Sequence, residues 1–243
     1  MCNLYTSPTE QEVWDYWDIS GPLAPPRFFV EGHVVAPKKQ GQFLRAKLNT
    51  RELEYAVGRW QLVPTNWPDI EKYPYSTQNA RWENKVRTSR TYKPVWMAGQ
   101  RCVIPVRNFY EPCWETNEHV PWRLESTDGS PLGLAGLWNT WVNKLTGELV
   151  ETYTMITINA DDHPLMRRMH KPTPDDPEKR MVAVLAPEDQ QAWLFGTPTE
   201  AERVIRQWPE ERFKAMPMPK PERAKRERSA PSADGERPQR DLF

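Results

Sequence analysis

A chain of 243 residues can bury a substantial core as one large domain or two small ones. Its 33 lysines and arginines balance 33 aspartates and glutamates, so no overall basic field announces nucleic acid and any such site must be a local groove. Three cysteines at 2, 102 and 113, with no CxxC and no histidine at a zinc-ligand spacing, argue against a disulfide framework or a metal site, and no cofactor is expected.

The N-terminal MCNLYTSPTEQEVWDYW lacks the basic and apolar regions of a signal peptide. No later stretch approaches the roughly 18 apolar residues of a membrane span. We therefore expect no membrane association and a cytoplasmic location, where thiols stay reduced. Twelve tryptophans and 25 prolines suggest an aromatic-rich, loop-rich surface with few long helices.

In chain order, Ser7 to Trp17 reads as a short helix opening at a Ser or Thr cap, with Glu10 near the position a capping box requires. Short β-branched and aromatic runs bounded by Pro and Gly predict strands at Arg27 to Pro37, Phe43 to Ala46 and Arg59 to Pro64. A helix is predicted from Asn79 to Thr91. Further strands are expected at Arg101 to Val106, Phe109 to Trp114, Leu132 to Trp141, Tyr153 to Asn159 and Met181 to Leu185, and a helix at Pro187 to Phe195. The sum is an α+β fold: one β-rich domain over residues 2–217, and a charged, disordered tail over 218–243.

The second residue carries the sharpest chemistry. Removal of Met1 leaves Cys2 with a free α-amine and a thiol, a pair that reacts with aldehydes. The amine forms an imine, and the thiol closes on the imine carbon as a thiazolidine. Their ordinary pKa values, about 8 and about 8.5, leave both partly nucleophilic near neutrality.

Other candidates are weaker singly. Asn79 and Arg81, two residues apart, share a direction in an extended stretch, where an amide can orient an amine and a guanidinium can grip a phosphate. Against this stands a helix cap with solvated charges. Glu111 lies in an apolar, aromatic run, RCVIPVRNFYEPCWE, which would raise its pKa toward that of a general acid if it points inward. Cys102 and Cys113 read as core. His163 and His170 flank the basic MRRMHK stretch, and either is a proton carrier or a hydrogen-bonded structural residue.

Taken in order, several short motifs resemble the SRAP family (SOS-response-associated peptidase, or abasic-site processing). They are Cys2, Val35-Ala36-Pro37 with Phe43-Leu44-Arg45, Trp60-Gln61-Leu62-Val63-Pro64 with Trp67, and Asn79-Ala80-Arg81 with Glu83. After them come Arg101-Cys102-Val103-Ile104-Pro105 leading to Tyr110-Glu111, Ala135-Gly136-Leu137-Trp138, and His170 with Arg180-Met181. The resemblance covers residues 2 to about 195.

It implies a barrel-like body of antiparallel or mixed sheets. It also implies a monomer that captures abasic sites in single-stranded DNA as a thiazolidine crosslink at Cys2, with possible lyase and self-processing activities. In that reading Cys2, Asn79, Glu111 and His170 are catalytic: Asn79 holds Cys2, Glu111 carries protons, and His170 assists at the sugar. Arg81, Trp60, Trp67 and Arg180 contact DNA.

The chain departs from the family pattern in having Leu4 where an arginine is usual, Pro112 after Glu111, and a longer stretch between His170 and Arg180. Met169 before the histidine favours His170 over His163. Two other functions stand beside this one: an N-terminal-nucleophile thiol peptidase, and a non-covalent single-strand or modified-base binder using Trp60, Trp67, Trp82 and Arg81.

Overall fold

The computed structural model describes residues 2–19, 29–48, 50–171, 173–174 and 177–218. All of the expected 218–243 tail but Met218, together with Met1 and part of the Arg27–Pro37 prediction, lies outside the described residues.

The chain opens with β1 (Leu4–Thr6) and α1 (Glu10–Trp17). The helix starts at Thr9, whose hydroxyl accepts from Glu12 N while Glu12 Oε2 accepts from Thr9 N, so the capping acid is Glu12 rather than Glu10. Then come β2 (Val34–Val35), β3 (Gln40–Ala46), β4 (Leu53–Trp60), β5 (Asn79–Arg81) and α2 (Lys93–Met97). The helix predicted over Asn79–Thr91 is thus a short strand followed by turns. Next are β6 (Arg101–Val106), β7 (Asn108–Cys113), β8 (Val120–Ser126), β9 (Leu132–Val142) and β10 (Leu149–Asn159). The chain closes with β11 (Arg180–Val182), β12 (Val184–Leu185), α3 (Gln190–Phe195), α4 (Pro198–Arg203) and β13 (Phe213–Pro217).

Two sheets result. In one, β10, β4, β3, β6 and β9 pair in sequence and β9 closes back onto β10, forming a five-strand barrel with β5, β11 and β12 attached. The other has the order β13-β8-β7-β1-β2. Both all-antiparallel and parallel ladders occur, because β10 runs parallel to β4 and β5. The fold is the expected β-rich α+β body.

All six residues of β6 are buried, Arg101 together with the apolar run Cys102–Val106 that a strand flanked on both edges requires. Phe43, Leu44, Trp60, Val103, Ile104, Leu134 and Tyr153 are buried in one core cluster on the two faces of the barrel strands, an aliphatic or Phe side chain there contributing about 1.5–3 kcal/mol by the usual area relation. Tyr5 of β1 joins the two sheets. Its hydroxyl meets Tyr153 at 2.6 Å and its ring lies edge-on to Trp60, with centroids 5.2 Å apart. Gly41 passes over this pair so closely that a Cβ would collide with both hydroxyls.

Candidate active site

The site forms where the two sheets meet. β1 runs antiparallel to β7 in the register Leu4↔Tyr110 and Thr6↔Asn108, which brings the residues just before Leu4 to the level of Glu111. Cys2 is fully buried there. From the barrel side, β5 lies parallel to β10 with Asn79 opposite Met155, and Asn79 Nδ2 donates to Cys2 O at 2.8 Å. Asn79 Oδ1 is buried and accepts no hydrogen bond among the described residues. The indole N–H of Trp60 donates to Gln78 O at 2.8 Å and so fixes the residue before Asn79.

The Cys2 thiol donates to Leu4 O at 3.3 Å. Burial, and then the negative charge of Glu111, push its pKa well above the ordinary thiol value. This corrects the expectation that the thiol is partly nucleophilic near neutrality: in the folded chain it rests protonated, and its use as a nucleophile requires a proton acceptor.

Glu111 supplies a carboxylate at that point. Its side chain is completely buried, and Oε2 lies 2.8 Å from His170 Nε2. His170 takes a left-handed backbone conformation, φ +55°, which is uncommon for a residue with a Cβ and is held here by main-chain contacts. Its amide donates to Pro112 O at 2.7 Å, and Met169 before it bridges Cys113. Lys179 Nζ donates to the carbonyls of Met169 (2.7 Å) and His170 (2.5 Å). No sequence motif marked Lys179, because its role follows from where the chain returns after the long stretch beyond His170.

His163 occupies a different role. Its Nδ1 accepts from the amides of Leu165 and Met166, so the proton sits on Nε2, which donates to Trp208 O at 2.7 Å. Both ring nitrogens are committed to the backbone.

The structure brings together Cys2, Asn79, Glu111 and His170, and separates the predicted DNA contacts. Arg81, two residues along β5 from Asn79, is partly exposed, with Nη1 3.8 Å from Glu178. Trp60 and Arg180 are corrections. Trp60 is fully buried and has no face to offer a base. Arg180 is 2 % exposed, donates to Glu83 Oε2 and Thr157 O at 2.7 Å each, and braces β11 against β10.

Trp67 belongs to a smaller apolar cluster with Val63, Ile70, Tyr73 and Trp141, apart from the core that contains Cys2. Cys102 and Cys113 are buried free thiols. Among the described residues no three His, Cys, Asp or Glu side chains come together as a metal site, and no helix is long and apolar enough to cross a membrane.

Residues 1–221 match the family described as SOS response associated peptidase (SRAP). The chain belongs to the SRAP family. Among its relatives, the abasic site processing protein YobE of Bacillus subtilis is 33% identical over 139 residues, 56% of each chain. The abasic site processing protein HMCES of Xenopus tropicalis is 29% identical over 131 residues, 46% of this chain and 39% of that one. The match of this SRAP chain thus spans little more than half the length of YobE and about two fifths of HMCES. A Bordetella bronchiseptica protein of known structure superposes with a TM-score of 0.77 at 33% identity, covering 90% of this chain and all of that one. A Bacteroides thetaiotaomicron protein at 20% identity superposes at 0.73 and shares the fold. In this SRAP chain Leu4 is 43 % exposed beside the site.

Proposed function

We propose that this chain captures abasic sites in single-stranded DNA as a covalent crosslink at Cys2, once Met1 is gone. The observation that carries the reading is the convergence on Cys2 of one hydrogen-bond anchor, Asn79, and one buried carboxylate–imidazole pair, Glu111 with His170. The names of the relatives as abasic site processing proteins supply the substrate class.

The open form of an abasic deoxyribose presents an aldehyde at C1′. The Cys2 amine adds to that carbon, the carbinolamine takes a proton from the Glu111–His170 pair and loses water, and an iminium remains. The thiol then adds to the iminium carbon and gives up its proton to the Glu111 carboxylate, closing a thiazolidine with a net loss of one water. Because the resting thiol is protonated, ring closure waits for the iminium, whose positive charge offsets the Glu111 charge that held the thiol neutral. Asn79 fixes the Cys2 carbonyl and hence the direction of both nucleophiles. His170 exchanges the proton with Glu111 and returns it when the ring opens. The same iminium acidifies the C2′ proton and permits β-elimination as a side reaction. Arg81 takes a phosphate beside the lesion. A single strand is the substrate because a paired, stacked nucleotide cannot deliver its C1′ to a residue with no exposed surface.

A second reading, self-release of Met1 by attack of the Cys2 thiol, rests on the same carboxylate beside the same thiol. Release of Met1 in an aminopeptidase-free preparation, lost in Glu111→Gln, would support it.

Intact-protein mass spectrometry after incubation with a single-stranded oligonucleotide bearing one abasic site tests the main proposal. Gain of the oligonucleotide mass less one water, absent in Cys2→Ala, is the expected result. No adduct from protein with a free Cys2 would refute it.

A further inference from the structure

The end of β7 and the turn that carries His170 are tied together by the main chain. Trp114 N donates to Arg168 O at 3.0 Å, Cys113 bridges Met169, and His170 N reaches Pro112 O. A partly exposed ring, Trp114, therefore sits three residues from Glu111 and directly beside Lys171, the residue after His170.

Lys171 Nζ lies over the Trp114 ring, 5.4 Å from its centroid, and the His119 ring is 5.9 Å away. Behind it, Arg168 stacks on Trp122 at 4.8 Å and is neutralised by Glu115 at 2.7 Å. Lys171 has no carboxylate partner among the described residues, nor does exposed Arg167. Acidic Glu118 lies in the same hairpin turn, so the positive excess is small and local.

An aromatic face bearing an ammonium that has no carboxylate partner among the described residues, continuous with the Glu111–His170 pair, has the chemistry of a nucleotide subsite. We propose that Trp114 and Lys171 form a shelf for one unpaired nucleotide flanking the reacting sugar. Its base stacks on the Trp114 ring while the Lys171 ammonium moves from the ring to the phosphate. The exchange is favourable because stacking a base on an aromatic side chain outweighs an exposed cation–ring contact, and the displaced ammonium gains a phosphate. This rests on the single-strand reading above and adds residues to it.

The test measures binding of an ordinary single-stranded oligonucleotide, without any abasic site, by fluorescence anisotropy over a range of salt. It uses the full chain and Trp114→Ala, Trp114→Phe and Lys171→Gln, with wild-type crosslinking to an abasic oligonucleotide measured separately. Trp114→Ala should bind about tenfold more weakly and Trp114→Phe should recover most of the loss. Lys171→Gln, at an exposed position that leaves the fold intact, should reduce the slope of log K against log salt by about 0.7.

Binding within twofold of wild type for both Trp114→Ala and Lys171→Gln, while wild type still crosslinks, overturns the shelf alone. Weakened binding in those variants with no wild-type crosslink supports the shelf and overturns the capture reading. Tighter binding to duplex than to single strand, or no binding and no crosslink by wild type, overturns both.

Discussion

Replacing Glu111 by glutamine separates two effects that a less specific substitution would merge. The amide keeps the size of a side chain with no exposed surface, so packing is preserved while the charge is lost. The charge is the second cause, after burial, of the raised Cys2 pKa, so its removal makes the resting thiol more acidic, with 1.36 kcal/mol for each unit recovered. Burial remains and keeps the thiol mostly protonated at neutral pH. A variant with a more acidic thiol would crosslink faster if thiolate population limited the reaction. Our mechanism gives the opposite sign, because the proton released at ring closure has lost its acceptor. The expected slowing is about 10²–10⁴-fold, the usual contribution of a positioned acid–base group, or roughly 3–5 kcal/mol of barrier. Stability should fall by only about 1–3 kcal/mol from the lost contact to His170. Single-turnover crosslinking to an abasic oligonucleotide gives the rate, and the pH dependence of Cys2 alkylation gives the direction of the thiol shift. A Glu111→Gln protein that crosslinks within about threefold of wild type, or whose alkylation midpoint rises, would refute the argument.

Arg180→Ala should destabilise the fold by about 1–3 kcal/mol in urea titration, because it removes the buried donor that joins half-exposed Glu83 to the Thr157 carbonyl, while Glu83 keeps the Asn159 amide and Thr157 O keeps the Trp82 amide. The folded fraction should bind single strands as wild type does, and normal stability with weakened binding would restore Arg180 as a DNA contact. Stability should decline at alkaline pH. Cys2, Tyr5, Cys102 and Tyr153 are fully buried with pKa values raised by burial above their ordinary 9.0 and 10.0, so their contribution is full below those values and is lost as pH rises through them. Each group that ionises only on unfolding costs about 1.4 kcal/mol per pH unit, and a Tm that stays flat from pH 8 to 11 would contradict the assignment. Lys179→Met keeps the stem but removes the ammonium that holds the carbonyls of Met169 and His170. Amide exchange at His170 should accelerate about tenfold and the pH profile of crosslinking should shift, whereas an unchanged profile would make Lys179 merely structural.

Strands with a strong local signature were legible, and strands made by their partners were not. RCVIPV announces a strand buried on both faces, and LGLAGLWNTW one nearly so. Asn79-Ala80-Arg81 carries no such signal and is followed by helix-compatible residues, so the local pattern suggests a helix. Its strand conformation comes from pairing with Met155 to Thr157, more than 70 residues away. β8 and β13 went unseen because Pro121 and Pro217 lower any strand expectation, although Pro217 lies opposite Trp122 in the β13–β8 ladder and Pro121 opposite Pro112 in the β7–β8 ladder. The ordered motifs singled out Cys2, Asn79, Glu111 and His170. Nothing local distinguished Trp60, buried and donating to Gln78 O, from an exposed stacking ring. Nor did any residue pattern place Lys179 beneath His170 or Trp114 beside Lys171.

The position of the site explains why a residue so close to the chain terminus can be held precisely. Cys2 is fixed from two independent directions: through β1 by the Leu4↔Tyr110 register with β7, and through Asn79 by the β5–β10 ladder of the barrel. Glu111 moves with β7 and so keeps its distance from Cys2 when the sheet shifts as a unit. Asn79 moves with the barrel. The relative placement of the amine, the thiol and the proton acceptor therefore depends on how β1 seats on the barrel, which the Tyr5–Tyr153 hydroxyl contact and the Tyr5–Trp60 edge contact determine. Gly41 makes that seating possible, since any side chain there would drive the two hydroxyls apart. A loosened seam would leave every candidate catalytic side chain in place on its own strand and still separate Cys2 from either Asn79 or Glu111, so Tyr5 of β1 and the Tyr153, Trp60 and Gly41 it packs on belong to the machinery as fully as the groups that exchange protons.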